Sequence, residues 1–334
     1  SRIRRGMLRG MDVAPWWKLV ETAPESASGP EWLVHLSRAQ GHQLAFRLKE
    51  AREQLEAARG SVPAGPWRNA FDLVECSIAA RQADAAVLEG MVPKVRALIR
   101  ALPAAEQATL ARAWHLLAVI HIRRSHLTDA EEAIFEALKH VEEAPSRTWI
   151  VDGCGQVLLG LGAWVEGRRT MKAVARRRET EGDPVGLAIT AGHQARLELE
   201  LGRPDAAEQA AREGLSRQNA SLSAGSRLRL QTMLLQACVE QGNPARARIE
   251  AGAVEELLGK DNLEQHYLGG YACLALARLE ALAGAPGKVR QWIDRAGRAF
   301  TLPDQTALLR YWEAKLLPGE IDSTRWMETM KGLF

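Results

Sequence analysis

The stretch from Asp152 to Gly162, DGCGQVLLGLG, has the glycine density of a phosphate cradle. Such a cradle needs a strand before it and a helix opening at the glycines, or a terminal Gly-Lys-Ser/Thr, because backbone N–H groups must converge on the anion. Neither context is present, so Gly155 reads as a close-packing position and Gly162 as a turn. His115, His121, His126 and His140 lie close together in sequence. Paired metal ligands on a helix call for a spacing near four, whereas His115 and His121 are six apart and point to different faces. No metal or other cofactor is expected, and His121 reads as a packing histidine. No Ser/His/Asp or Cys/His set is evident, and the carboxylates fall at solvated helix positions. No catalytic residue is assigned, and the chain reads as a non-enzyme. The sharpest charge feature is the run Arg168, Arg169, Lys172, Arg176, Arg177 and Arg178. Positions 168, 172 and 176 share one helical face that could meet phosphates or an acidic partner. Glu179, Glu181 and Asp183 follow at once and cancel part of that field. A solvated outer face is therefore the simpler account.

Whole-chain composition narrows the setting of these groups. The 334 residues carry 44 Lys+Arg against 41 Asp+Glu, a net charge of +3, which is no nucleic-acid footprint. Nucleic acid is accordingly not expected as a partner. The 54 Ala and 43 Leu outnumber Ile, Val and Thr together by more than two to one, favouring helix over sheet. Cys76, Cys154, Cys238 and Cys273 are widely scattered with no CxxC pair, as in a reduced, cytoplasmic protein. No apolar run reaches the length of a membrane span, and residues 1–10 lack an apolar signal core.

The elements that must carry these side chains repeat. An apolar-periodic helix, a short break and an Ala-rich helix recur, with breaks at Gly41, near Gln82, and at Ser125, Gly162, Gly202, Gly242 and Gly284. Successive breaks are 41, 43, 37, 40, 40 and 42 residues apart, a steady period that marks a repeat architecture. The clearest unit spans residues 111–145. Trp114, Leu117, Ala118 and His121 recur on one helical face, and Ala130, Ile134, Ala137 and Val141 on another. Between them, Thr128 or Asp129 is the expected N-cap of the second helix. Later units repeat the register through Ala195, Ala207 and Ala211, then Ala247 and Ala251, then Ala277, Val289, Ile293 and Ala296.

The pattern Trp114-x2-Leu-Ala-x2-His-x8-Ala-x3-Ile-x2-Ala resembles the tetratricopeptide repeat (TPR), with Glu142 where the usual proline would stand. HEAT and armadillo repeats share the period of about 40 residues, but the small-residue stripe of the second helix argues against them. The resemblance covers about residues 68–300, and its long period is similar to the TPR-like arrays of bacterial signalling regulators. It implies an all-α, right-handed superhelical solenoid of antiparallel helix pairs, with ligands in the concave groove lined by the first helices. By register that groove is formed by Asp72, His115, Arg123, Asp152, Gln156, Arg196, Glu200, Gln236, Glu240 and Arg278. It is polar and of mixed sign, and lacks the Lys/Asn set of the carboxylate-clamping chaperone type.

The expected organisation is a basic, Trp-containing segment and linker over 1–30, repeats over 31–300, a capping helix over 301–317 and an amphipathic tail over 318–334. A cap is needed because an open array end leaves an apolar face in water. Trp16, Trp17, Trp32 and Trp67 crowd the N-terminal third, as a separate core or an exposed hot spot. Two functions fit. One is a non-catalytic scaffold that binds a protein or peptide in its groove. The other is the effector-sensing or autoinhibitory region of a bacterial signalling or transcription regulator, with a small-molecule effector as ligand. A chain that starts at Ser1 is compatible with such an excised piece, and equally with processing.

Overall fold

The computed structural model describes residues 31–44, 47–82, 85–141, 144–217, 222–260 and 263–317. The basic N-terminal segment with Trp16 and Trp17, and the tail from residue 318, lie outside the described residues. Among the described residues all regular structure is helical, in fifteen α-helices and one short 3-10 helix. The helices are α1 Glu31–Leu44, α2 Leu48–Arg59, α3 Pro66–Gln82, α4 Ala85–Ala101, α5 Gln107–Arg123, α6 Leu127–Lys139, α7 Ala144–Gly160 and α8 Trp164–Glu181. They continue as α9 Pro184–Glu200, α10 Pro204–Ser216, α11 Ala224–Glu240, α12 Pro244–Leu258, α13 Tyr267–Leu282, α14 Pro286–Ala299 and α15 Pro303–Leu316. None of them is long and apolar enough to cross a membrane. The chain divides into two compact units between Leu187 and Ala188.

From α5 onward, odd-numbered helices are joined to the even-numbered helices that follow by turns of nearly identical construction. Ser125, Gly162, Gly202, Gly242 and Gly284 all hold φ between 58° and 73°, the left-handed region. In each turn the next N–H bonds back across the helix end: His126 to the His121 carbonyl at 2.9 Å, Ala163 to Leu158 at 2.9 Å, Arg203 to Glu198 at 2.8 Å, Asn243 to Cys238 at 3.1 Å and Ala285 to Glu280 at 3.0 Å. This is a Schellman closure, which satisfies the terminal carbonyls and reverses the chain in three residues. Pro204, Pro244 and Pro286 then occupy the first turn of α10, α12 and α14, where a missing N–H costs nothing.

That closure overrides the expected cap of α6. The N-cap is His126, with no side-chain cap bond, rather than Thr128 or Asp129. The left-handed residue dictates a helix start two residues later, which puts Asp129 inside the first turn, where its charge suits the helix dipole. The first break also moves. Gly41 lies within α1, and α2 begins at Leu48.

Between paired helices, small residues permit close approach. Ala118, Ala130, Ala137, Ala195, Ala207, Ala211, Ala247, Ala251, Ala277 and Ala296 are all buried. Gly155 goes further, since a Cβ there would fall 2.5 Å from Met171 Cε on α8. Trp32 is buried and meets Trp67 edge-on at 5.2 Å, within a cluster that holds Leu36, Phe71 and Ile78, so this tryptophan pair is core. In the second unit α15 packs on α13 and α14 and covers the end of the last helix pair.

Ser125 is the sole non-glycine with positive φ among the described residues. Because that conformation strains an L side chain, Ser125→Gly is expected to raise unfolding free energy by about 0.5–1 kcal/mol. Gly202→Ala should lower it by a similar amount. Urea midpoints of the two variants test both signs.

Candidate functional site

In the first unit the odd-helix face carries five of the groove residues inferred by register. Asp72 on α3 is half-buried and holds Arg68 at 3.0 Å, while burial pushes its carboxyl up from the ordinary range. Arg123 ends α5 and donates to the Ala80 carbonyl at the end of α3, so it fastens two repeats together. His115 on α5 packs against Gly153 of α7, whose Cβ would stand 3.2 Å from the imidazole Nε2. Burial pulls His115 down to about 4, against a smaller opposing pull from Asp152. Gln156 on α7 is half-buried.

Asp152 is not a free groove carboxylate. It is 2% exposed and lies 3.8 Å from the guanidinium of Arg178, which is itself fully buried. Arg178 also stacks on the Trp149 ring at 4.2 Å, donates to the Gly186 carbonyl and lies 4.0 Å from Asp183. The last member of the sequence's basic run therefore belongs to the core. Charges this deep persist because each is answered, Asp152 by Arg178 and Arg178 by Asp152, Asp183, the Gly186 carbonyl and the Trp149 ring. Of the rest of that run, Arg169, Lys172, Arg176 and Arg177 are exposed on α8 and Arg168 is half-buried. Arg177 pairs with Glu181 at 2.9 Å.

In the second unit Arg196 and Glu200 are exposed on α9 and face one another at 4.0 Å. Gln236 is half-buried on α11. Glu240 and Arg278, from α11 and α13, form an ion pair, and Arg278 lies 4.2 Å over the Trp312 ring of α15. Its charge is thus largely answered within the protein.

The register inference misses one row of the same face, a turn nearer the N-termini of the odd helices. Arg229 on α11 makes a 2.9 Å hydrogen bond with His193 Nε2 of α9 and donates to the Tyr267 hydroxyl of α13 at 3.3 Å. Tyr271 lies edge-on to Tyr267 and to Phe300, and burial pushes its phenol up. Arg229 stands thirteen residues before the turn glycine Gly242, and Arg112 the same distance before Ser125. Arg112, half-buried on α5, is pulled down by burial and meets no counter-ion among the described residues. Counting back from the turn residue would have found both arginines.

No family model matches the sequence. No curated protein matches it either. Solved structures do. A Rap protein complexed with competence and sporulation factor superposes with TM-score 0.68 at 12% identity, over 91% of this chain and 86% of that one. Aspartyl phosphate phosphatase F from Bacillus subtilis gives TM-score 0.53 at 11% identity, over 89% and 81%. NprR in complex with its cognate peptide NprX gives 0.47 at 11% identity, over 90% and 98%. The chain has the fold of a TPR-like helical-repeat solenoid.

Removing Asp152 would take from the buried Arg178 the more deeply buried of its two carboxylate neighbours, so Asp152→Ala should cost about 3 kcal/mol in urea unfolding. An unchanged midpoint would show that the pair carries no stability. His115 supplies a pH test. The unfolded imidazole takes its proton near 6.5 and the folded one near 4, so stability falls as pH drops through that window. His115→Gln should show a smaller fall between pH 7 and pH 5 than the wild type, and an equal fall would reject the assignment.

Proposed function

We propose that this protein is a non-catalytic, cytoplasmic binding module that holds an extended, acidic segment of a protein or peptide on the odd-helix faces of its repeats. The observation that carries this reading is the row His193, Arg229 and Tyr267, flanked by Tyr271, in the second unit. It offers one guanidinium held in place by a histidine and a phenol, beside aromatic surface. A preorganised cation of this kind loses little entropy when it accepts a carboxylate. Arg112 offers the first unit a half-buried cation at the equivalent register. Arg278, paired to Glu240, is a poorer anchor than its position in the register implies.

A second reading, the effector-sensing or autoinhibitory region of a bacterial regulator, draws on the likeness over 91% of the chain to a Rap protein solved with competence and sporulation factor. The two readings share a binding face and differ in what occupies it, a peptide segment or a small-molecule effector.

Selection of a phage-displayed dodecapeptide library on the immobilised chain tests the proposal. Enriched sequences should be acidic, and their affinity should fall about tenfold or more in Arg229→Ala, the cost of one charge-assisted contact. Enrichment of basic or purely apolar peptides would overturn the role given to Arg229. No enrichment, with thermal stabilisation by a small-molecule panel instead, would favour the effector sensor.

A further inference from the structure

At the turn between α5 and α6 the fold brings together three side chains that the sequence spacing leaves apart. His121, near the end of α5, is 2% exposed, and neither of its ring nitrogens has a hydrogen-bond partner among the described residues. A buried imidazole normally satisfies at least one nitrogen, so this one needs an explanation. Its Nδ1 lies 3.6 Å from Asp129 Oδ2, too far for a hydrogen bond. His126 Nδ1 lies 3.5 Å from the same carboxylate oxygen. The rings of His121 and His126 stack with centroids 6.2 Å apart and planes 18° from parallel. One donor atom from each of the three residues falls within 4.8 Å of the other two.

From this geometry we infer a binding site for a divalent transition-metal ion, of the zinc class, formed by His121, His126 and Asp129. Two imidazole nitrogens and one carboxylate oxygen are a donor set such ions favour. In a four-coordinate site with bonds of roughly 2.0–2.1 Å, neighbouring donors stand about 3.3 Å apart. The two histidine–aspartate separations need to close by only a few tenths of an ångström, and the two imidazole donors, within 4.8 Å of one another, are drawn together by rotation of the exposed His126 ring. The Schellman turn makes the juxtaposition possible, because the left-handed Ser125 folds His126 back over the end of α5. Asp129, displaced from the expected cap position into the first turn of α6, then reaches both rings.

The surrounding charge is of mixed sign, with Asp129 as the carboxylate nearest the two rings. Arg96 and Arg124 approach His121, but Arg124 is paired with Glu89. Beside the ligands opens a cavity of about 550 Å³ whose wall carries Glu132 and Glu136 but also Arg96 and Arg100, together with Trp114 and Phe135. A fourth coordination position facing that cavity would take water or a carboxylate. The site lies against α4 and α6, away from the row that carries Arg112.

Titration of the chelator-treated protein with Zn²⁺ alone, by calorimetry, tests the inference. One ion should bind per site, and Co²⁺ in its place should give the intense visible bands of a four-coordinate N/O environment. His126 and Asp129 are each 48% exposed, so His126→Ala and Asp129→Asn should fold normally, as circular dichroism would check. Each should weaken Zn²⁺ binding by at least about tenfold, the smaller end of what even an outer-shell partner costs. His140→Ala, whose ring meets Gln107 instead, should leave binding unchanged. A zinc-induced rise in melting temperature should disappear in the double variant. Absence of binding by the wild type, or equal binding by both single variants, would overturn the site.

Discussion

The left-handed residue that ends the odd-numbered helices in five of the repeats is the constraint on which the arrangement rests. A single positive φ, with one hydrogen bond back across the helix end, closes the carbonyls and starts the next helix two residues later. The register of these five helix pairs is then set by local backbone geometry. Helix faces that meet are chosen by the same count, which is why alanines so widely separated in sequence become buried at equivalent positions. Placement of His126 and Asp129 beside His121 is a by-product of this turn.

Packing follows from that register and tolerates little bulk. Gly155 lets α7 and α8 approach so closely that Met171 fills the space of a missing Cβ. The same close approach encloses Asp152 and Arg178. Their desolvation is offset by mutual attraction, by the Trp149 ring and by the Gly186 carbonyl. Burial of this kind makes the pair a structural element and removes it from any surface recognition.

Charges on the outer faces behave differently. In the second unit Glu208 meets both Arg212 and Arg246, Arg212 reaches Glu250, and Arg248 meets the buried Glu280. All but Glu208–Arg212, which lies within α10, link successive repeats, and each exposed one contributes little alone. What they do is answer these three guanidinium groups locally. Arg112 and Arg229 lack a carboxylate partner among the described residues, as Arg38, Arg96 and Arg227 also do; Arg229 differs from these in being held by a histidine and a phenol.

Helix content, the repeat period, the alanine stripes and the turn residues from Ser125 onward were legible in the sequence, because each depends on neighbours within a few residues. Trp114, His121 and Ala137 declare their face through a 3.6-residue period, and glycine at a left-handed position is a local requirement. The groove was legible only as a register. Which of its side chains face a ligand depends on what the next repeat presents. Asp152 disappeared into the core against Arg178, and Arg278 was answered by Glu240. His193, Arg229 and Tyr267 came together from three helices more than thirty residues apart. The His121, His126 and Asp129 cluster arose because a reversed turn replaces helical spacing by proximity through space. Local propensity and periodicity determine the elements of this protein. Contacts between repeats, which no single window of sequence contains, decide its chemistry.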